Sequence, residues 1–131
     1  MKRVRVAING FGRIGRTLGR LLINDPAIEW VAVNDIHPSD ALVHLFKYDS
    51  VHGVFNKKIS IDEKKVRIDE HEVIFLNEKD PSLLPWSKLN IDVVVECSGK
   101  FKDRGSLQKH ISAGAKKVIL AAVSYTHLRA H

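Results

Sequence analysis

Three glycines fall within six residues, Gly10-Phe11-Gly12-Arg13-Ile14-Gly15, directly after the apolar alternation Val4, Val6, Ile8, and an acid, Asp35, stands twenty positions beyond the last of them. A backbone without side chains can turn sharply and come close to a bulky anion, which is the chemistry such a run offers. The spacing is that of a dinucleotide-binding turn: Gly10 for the corner, Gly12 for close approach to a pyrophosphate, Gly15 for packing of a helix on a strand. The N-terminus of that helix adds unpaired N–H groups and partial positive charge. Asp35 has the spacing to accept hydrogen bonds from both hydroxyls of an adenosine ribose, and its charge would repel a ribose phosphate. NAD is therefore expected over NADP.

The remaining reactive residues read differently. Cys97 follows a buried aliphatic run and is read as a small core residue rather than a nucleophile. The seven histidines, His37, His44, His52, His71, His110, His127 and His131, show no paired ligand spacing with a cysteine, so no zinc site is expected. Trp30 and Trp86 are read as packing residues. No Ser-His-Asp order stands out. A binding half is legible without a chemical half, and Ser98-Gly99 and the strand end at Ala121 are expected to border the same crevice as Gly10 to Gly15.

The elements that must position these residues alternate. Residues 4–9 predict a strand, and 13–24 a helix with Ile14, Leu18, Leu21 and Leu22 on one face and Arg13, Arg16 and Arg20 on another. Residues 28–33 predict a second strand. After a turn through Pro38, Ser39 or Asp40 is expected to cap a helix carrying Ala41, Leu42, Leu45 and Phe46. Residues 54–61, 65–68 and 72–76 have the length and polar breaks of an antiparallel excursion, with a hairpin turn at Asp69-Glu70-His71. Pro81 and Pro85 fill a loop around Trp86. Residues 91–96 and 117–122 predict buried strands of a parallel sheet, separated by a helix over 104–113 with Leu107 and Ile111 inward and Gly114 at its end. The expectation is an α/β, Rossmann-type doubly wound, mostly parallel sheet with a small antiparallel excursion.

Composition sets the frame. At 131 residues the chain supports one domain with a real core, and 27% charged and 44% hydrophobic residues are ordinary globular usage. No apolar run reaches the ~20 residues of a membrane span, no signal-peptide core opens the chain, and one cysteine cannot form an internal disulfide; a cytoplasmic location is expected. The net charge of +6 raises the alternative of a basic module gripping RNA or another nucleotide. Lys and Arg are dispersed, however, so a solvated surface suited to phosphorylated small molecules is the main reading, without nucleic acid or membrane as partner.

"INGFGRIGR", "VND" at 33–35, "YDSVHG" at 48–53, "EKDP" at 78–81, "ECSG" at 96–99 and "AGAKKVIL" at 113–120 resemble, in order and spacing, the N-terminal NAD-binding domain of the phosphorylating glyceraldehyde-3-phosphate dehydrogenases. The resemblance covers residues 2 to about 122. It implies the NAD-binding part of a homotetrameric glycolytic oxidoreductase that oxidises glyceraldehyde 3-phosphate with NAD and inorganic phosphate to 1,3-bisphosphoglycerate; erythrose-4-phosphate dehydrogenase is the related alternative. By position it implies Asn9, Gly10, Phe11, Gly12, Arg13, Ile14 and Gly15 at the pyrophosphate turn, Asn34 and Asp35 at the ribose, and Ser98 and Gly99 in the crevice. Lys79 stands where the family often has an arginine near the adenine, and Ala121 where it often has serine or threonine. The family's catalytic cysteine lies in a Ser-Cys-Thr-Thr-Asn motif, with a partner histidine farther on. Neither occurs in these 131 residues, Cys97 does not take that role, and the chain is expected to be inactive alone. Residues 1–122 are thus read as the NAD(P)-binding domain. Residues 123–131 fit no family pattern and are expected to be extraneous linker sequence without order.

Overall fold

The computed structural model describes residues 2–48, 57–100 and 103–121 of the chain. The expectations for 54–56, for the part of "YDSVHG" from 49 on and for the tail at 123–131 lie outside the described residues, as do His52, His127 and His131.

Among the described residues seven strands, β1 (Val4–Asn9), β2 (Ile28–Asn34), β3 (Ile59–Asp62), β4 (Lys65–Ile68), β5 (His71–Leu76), β6 (Val93–Glu96) and β7 (Lys117–Leu120), form one sheet in the order β3-β4-β5-β2-β1-β6-β7. From β5 to β7 every neighbour is parallel, whereas β3, β4 and β5 pair antiparallel. The expected doubly wound sheet with an antiparallel excursion is what forms. The chain builds outward from β1 to β2, then returns to lay β6 on the other side of β1. That reversal between β1 and β6 opens a crevice at the carboxyl ends of the strands, where open α/β sheets take their ligands.

Among the described residues three α-helices cover the sheet: α1 (Arg13–Leu22), α2 (Ser39–Tyr48) and α3 (Arg104–Ser112). Leu22 of α1 and Leu42, Val43 and Phe46 of α2 join Val6, Ile8, Trp30 and Val33 in one core, while Trp86, Leu84, Ile91 and Ala115 pack with Ala7, Ala32 and Val94 in the other. Along β1 and β2 the register skips one residue, pairing Val6 with Trp30 but Ala7 with Ala32. The extra residue, Val31, lets Trp30 and Val33 face the same core although three positions apart, since the side-chain period in a regular strand is two. Phe11 sits at the centre of the first core, its ring 5.4 Å from those of Phe46 and Phe75 and 5.9 Å from Trp30.

Four local expectations are corrected. The buried side of α1 is Gly15, Gly19 and Leu22, with Leu18 packed against the core, whereas Ile14 is 41% and Leu21 66% exposed; the helix lies so close to β2 that a Cβ on Gly19 would stand 2.7 Å from the Trp30 ring. Neither Ser39 nor Asp40 precedes α2 as a cap, because both lie in its first turn and the Pro38 carbonyl accepts from Leu42 N–H. On α3 the fully buried residue is His110, with Leu107 and Ile111 half-buried. Finally β7 is the sheet edge among the described residues, with Ile119 48% and Leu120 41% exposed, where a strand buried on both faces was expected.

Candidate functional site

The carboxyl ends of β1, β2 and β6 converge on a cleft of about 360 Å³. One wall is the turn after β1, which contributes Gly10 and Gly12 beside Asn9; the facing wall is Asn34 and Asp35, continued by Ile36 and His37. Glu78 and Lys79 close one end, and Cys97, Ser98 and Lys100 the other. Ile36 is an exposed aliphatic surface among polar neighbours.

The three glycines differ in what surrounds them. Gly10 has φ +96°, and a Cβ on it would lie 2.5 Å from the backbone N and Cα of Ser98, so the turn packs directly on the end of β6. A Cβ on Gly15 would collide with the Gly10 carbonyl oxygen, which fixes the start of α1 against the turn. A Cβ on Gly12 would meet no heavy atom within 4 Å: the space above it is the cleft itself. Gly12 is also the N-cap of α1, which has no side-chain cap and no acid in its first turn. The first N–H groups of the helix are thereby left to an external acceptor.

Asp35 ties this turn to the facing wall of the cleft. Its Oδ2 accepts the Phe11 backbone N–H at 2.7 Å, and its Oδ1 accepts the His37 backbone N–H at 3.0 Å and the His37 ring at 2.7 Å. Burial works against the charged form, but the Phe11 and His37 N–H groups and the adjacent imidazole outweigh it and hold the carboxyl below its ordinary value. Asp35 is thus an anion facing the cleft.

Beneath the cleft lies a buried polar chain for which the sequence carried no signal. Glu96, fully enclosed, accepts Asn9 Nδ2 at 2.7 Å and His110 Nε2 at 2.8 Å on Oε1, and both the N–H and the hydroxyl of Ser98 on Oε2. Burial pushes its carboxyl upward, and the hydrogen bonds from His110, Ser98 and Asn9 more than reverse this, leaving it below its ordinary value. Asn9 Oδ1 in turn accepts Asn34 Nδ2 at 2.8 Å, while Asn34 holds the backbone of Glu78 through both its N–H and its carbonyl. One carboxylate thus fixes Asn9 and Ser98 directly and, through Asn34, the loop that carries Lys79. Cys97 is buried beside it; burial, with the Glu96 charge, pushes its thiol up to about 12, and a protonated thiol is a poor nucleophile.

The family model described as the NAD binding domain of glyceraldehyde 3-phosphate dehydrogenase matches residues 4–104. The chain belongs to the glyceraldehyde 3-phosphate dehydrogenase family. It is similar to glyceraldehyde-3-phosphate dehydrogenase of Mycoplasma pneumoniae, 50% identical over 121 residues that cover 92% of this chain and 36% of the relative. It is 48% identical over 124 residues to glyceraldehyde-3-phosphate dehydrogenase 2 of Saccharomyces cerevisiae, covering 94% and 37%, and 46% identical over 119 residues to the Geobacillus stearothermophilus enzyme, covering 91% and 36%. The chain spans a little over a third of the length of these curated relatives.

Within this glyceraldehyde 3-phosphate dehydrogenase NAD-binding domain, the structure brings Asn9, Gly10, Gly12, Asn34, Asp35, Lys79 and Ser98 together around the cleft. Phe11 enters only through its N–H, its ring being buried in the core. Gly15 lies behind the turn, and Arg13 and Ile14 are exposed at the head of α1. Gly99 (φ +74°) is exposed next to Ser98. Ala121 donates its N–H to the Glu96 carbonyl at 3.0 Å and does not line the cleft, in contrast to the expectation for that strand end. Ile36, His37, Glu78 and Lys100 line it without having been expected. They follow or flank the recognised motifs, but no spacing rule marks them.

Proposed function

We propose that the cleft holds NAD with its pyrophosphate against Gly12 and the N–H groups of Arg13 and Ile14, its adenosine ribose on Asp35, and Lys79 near the adenine. Asn9, Gly10, Asn34, Ser98 and Gly99 shape the remainder, with Phe11 and Gly15 keeping the turn in place. The observation that carries this reading is the bond between Asp35 and the Phe11 N–H: it sets a carboxylate beside the turn at Gly12, where the missing side chain leaves open space. A cofactor with a phosphate on the adenosine ribose would bring a second anion against that carboxylate, so NAD is favoured over NADP.

The wider proposal is that the chain is the cofactor-binding part of a phosphorylating aldehyde dehydrogenase. Such an enzyme oxidises glyceraldehyde 3-phosphate to 1,3-bisphosphoglycerate in glycolysis, in the cytoplasm, as a homotetramer. Bound NAD supplies the hydride acceptor; the residues of this chain bind and orient it. The reaction also needs a thiolate nucleophile. Cys97, buried and protonated, does not supply one, and the Ser-Cys-Thr-Thr-Asn motif is not among the 131 residues, so the chain by itself is inactive.

Isothermal titration of the chain with NAD, NADP and a short oligonucleotide tests this. NAD is expected to bind at least about tenfold more tightly than NADP, a difference of about 1.4 kcal/mol, with no oligonucleotide binding at moderate salt. Equal affinity for the two dinucleotides, or none for either in a folded sample, overturns the assignment of Asp35.

A further inference from the structure

We infer that His37 is a specificity-determining residue of the cleft: its imidazole occupies a position on Asp35 that an adenosine ribose diol needs, and so competes with the ribose 2′-hydroxyl. The inference rests on the reading of the cleft as an NAD site.

An ionised carboxylate accepts only, through about four lone-pair directions. On Asp35 three are filled, one by the Phe11 N–H at 2.7 Å, one by the His37 N–H at 3.0 Å and one by His37 Nδ1 at 2.7 Å. Nδ1 must carry the hydrogen, because the carboxylate has none to give. A ribose diol brings two hydroxyl donors to a group with one direction left.

Two of the three occupants cannot move aside. Phe11 is pinned by its buried ring, and the backbone at His37 is held by Asn77, whose Nδ2 donates to the carbonyls of His37 at 2.7 Å and Asp35 at 3.2 Å. The imidazole, by contrast, belongs to a side chain 69% exposed. It is the displaceable partner. Binding both ribose hydroxyls therefore requires the ring to leave Asp35, which weakens affinity for the diol by the worth of one hydrogen bond, about two- to tenfold. A ribose lacking the 2′-hydroxyl needs only the free direction and incurs no such loss.

The test titrates the 131-residue chain, His37→Ala and His37→Asn with NAD and with the NAD analogue whose adenosine ribose is 2′-deoxy. His37→Ala keeps the backbone N–H, and an unchanged unfolding midpoint verifies its fold. It is expected to bind NAD about two- to tenfold more tightly than the parent and the 2′-deoxy analogue equally well. His37→Asn, which returns an amide donor near the place of Nδ1, is expected to bring NAD affinity back to the parent value. Unchanged or weakened NAD binding by His37→Ala, or an equal gain for both ligands, overturns the inference while leaving the NAD reading standing. Absence of NAD binding by all three chains overturns both.

Discussion

His110 Nε2 lies 2.8 Å from Glu96 Oε1, both side chains fully enclosed, while the indole N–H of Trp86 donates to His110 Nδ1 at 3.0 Å. Since Nδ1 accepts from Trp86, Nε2 carries the ring hydrogen and donates to Glu96. The relationship joins α3 and the loop before β6 to the floor of the cleft. A buried carboxylate with four donors aimed at it is costly to alter at either end.

Replacing Glu96 by Gln removes the charge and turns an amide NH2 toward donors. Urea unfolding is expected to show a loss of about 2–4 kcal/mol with an unchanged dependence on denaturant. A loss below ~1 kcal/mol would mean that the four hydrogen bonds contribute little net stability.

Acid should weaken the fold through the same group and through Asp35. Both carboxyls sit below their ordinary values, so their stabilisation is fully present above the ordinary carboxylate range and is lost as pH falls through the folded-state values. Stability is expected to be insensitive to these two groups above about pH 5 and to fall progressively below it. Glu96→Gln should flatten that fall, measured by urea midpoints at stepped pH.

The glycines of the turn should separate by readout. Gly15→Ala and Gly10→Ala, which meet backbone atoms, are expected to lose about 2–4 kcal/mol of stability. Gly12→Ala, with only open space around the new methyl, is expected to stay within about 1 kcal/mol of the parent yet lose at least about tenfold in NAD affinity. Thermal unfolding and calorimetric titration of the three variants check this.

Asp35→Asn leaves one acceptor and no charge opposite the ribose. NAD binding is expected to weaken about tenfold while NADP binding holds or improves, so that the ratio of the two affinities narrows. A ratio that stays constant would remove Asp35 from cofactor choice.

Cys97 should be silent in the folded chain. With its thiol pushed up to about 12 by burial and by the Glu96 charge, it is expected to resist iodoacetamide at pH 8 and to react fully once urea has unfolded the chain. Rapid labelling under native conditions would contradict its buried, protonated state.

Much of the architecture was readable from local pattern. Strand alternation at Val4–Asn9, the aliphatic run ending at Glu96 and the interposed helical segments imposed an α/β order, because period and branching are properties of neighbouring residues. The glycine spacing and the acid twenty positions on likewise located the turn and its facing carboxylate. Pattern misled where a residue's partner, rather than its own type, decided its burial. On α1, Leu22 and Leu18 of the apolar stripe do pack on the core, but Ile14 and Leu21 are exposed and Gly15 and Gly19 lie inward, because Gly10 and Trp30 leave no room for a side chain there. Ile119 and Leu120 looked like core and are exposed, since among the described residues no strand lies beyond β7 in the sheet order.

What the amino-acid order settled alone was a bare-backbone corner between strand and helix, with an acid placed to face it. Folding settled which side chains meet beneath and beside that corner: Asn9, Glu96 and His110, up to 101 positions apart, in one buried network, and the His37 ring on the Asp35 carboxylate. Glycine spacing constrains the backbone within one turn and can be read in one dimension. A hydrogen bond between distant segments depends on how the sheet brings their ends together, and no local period records that.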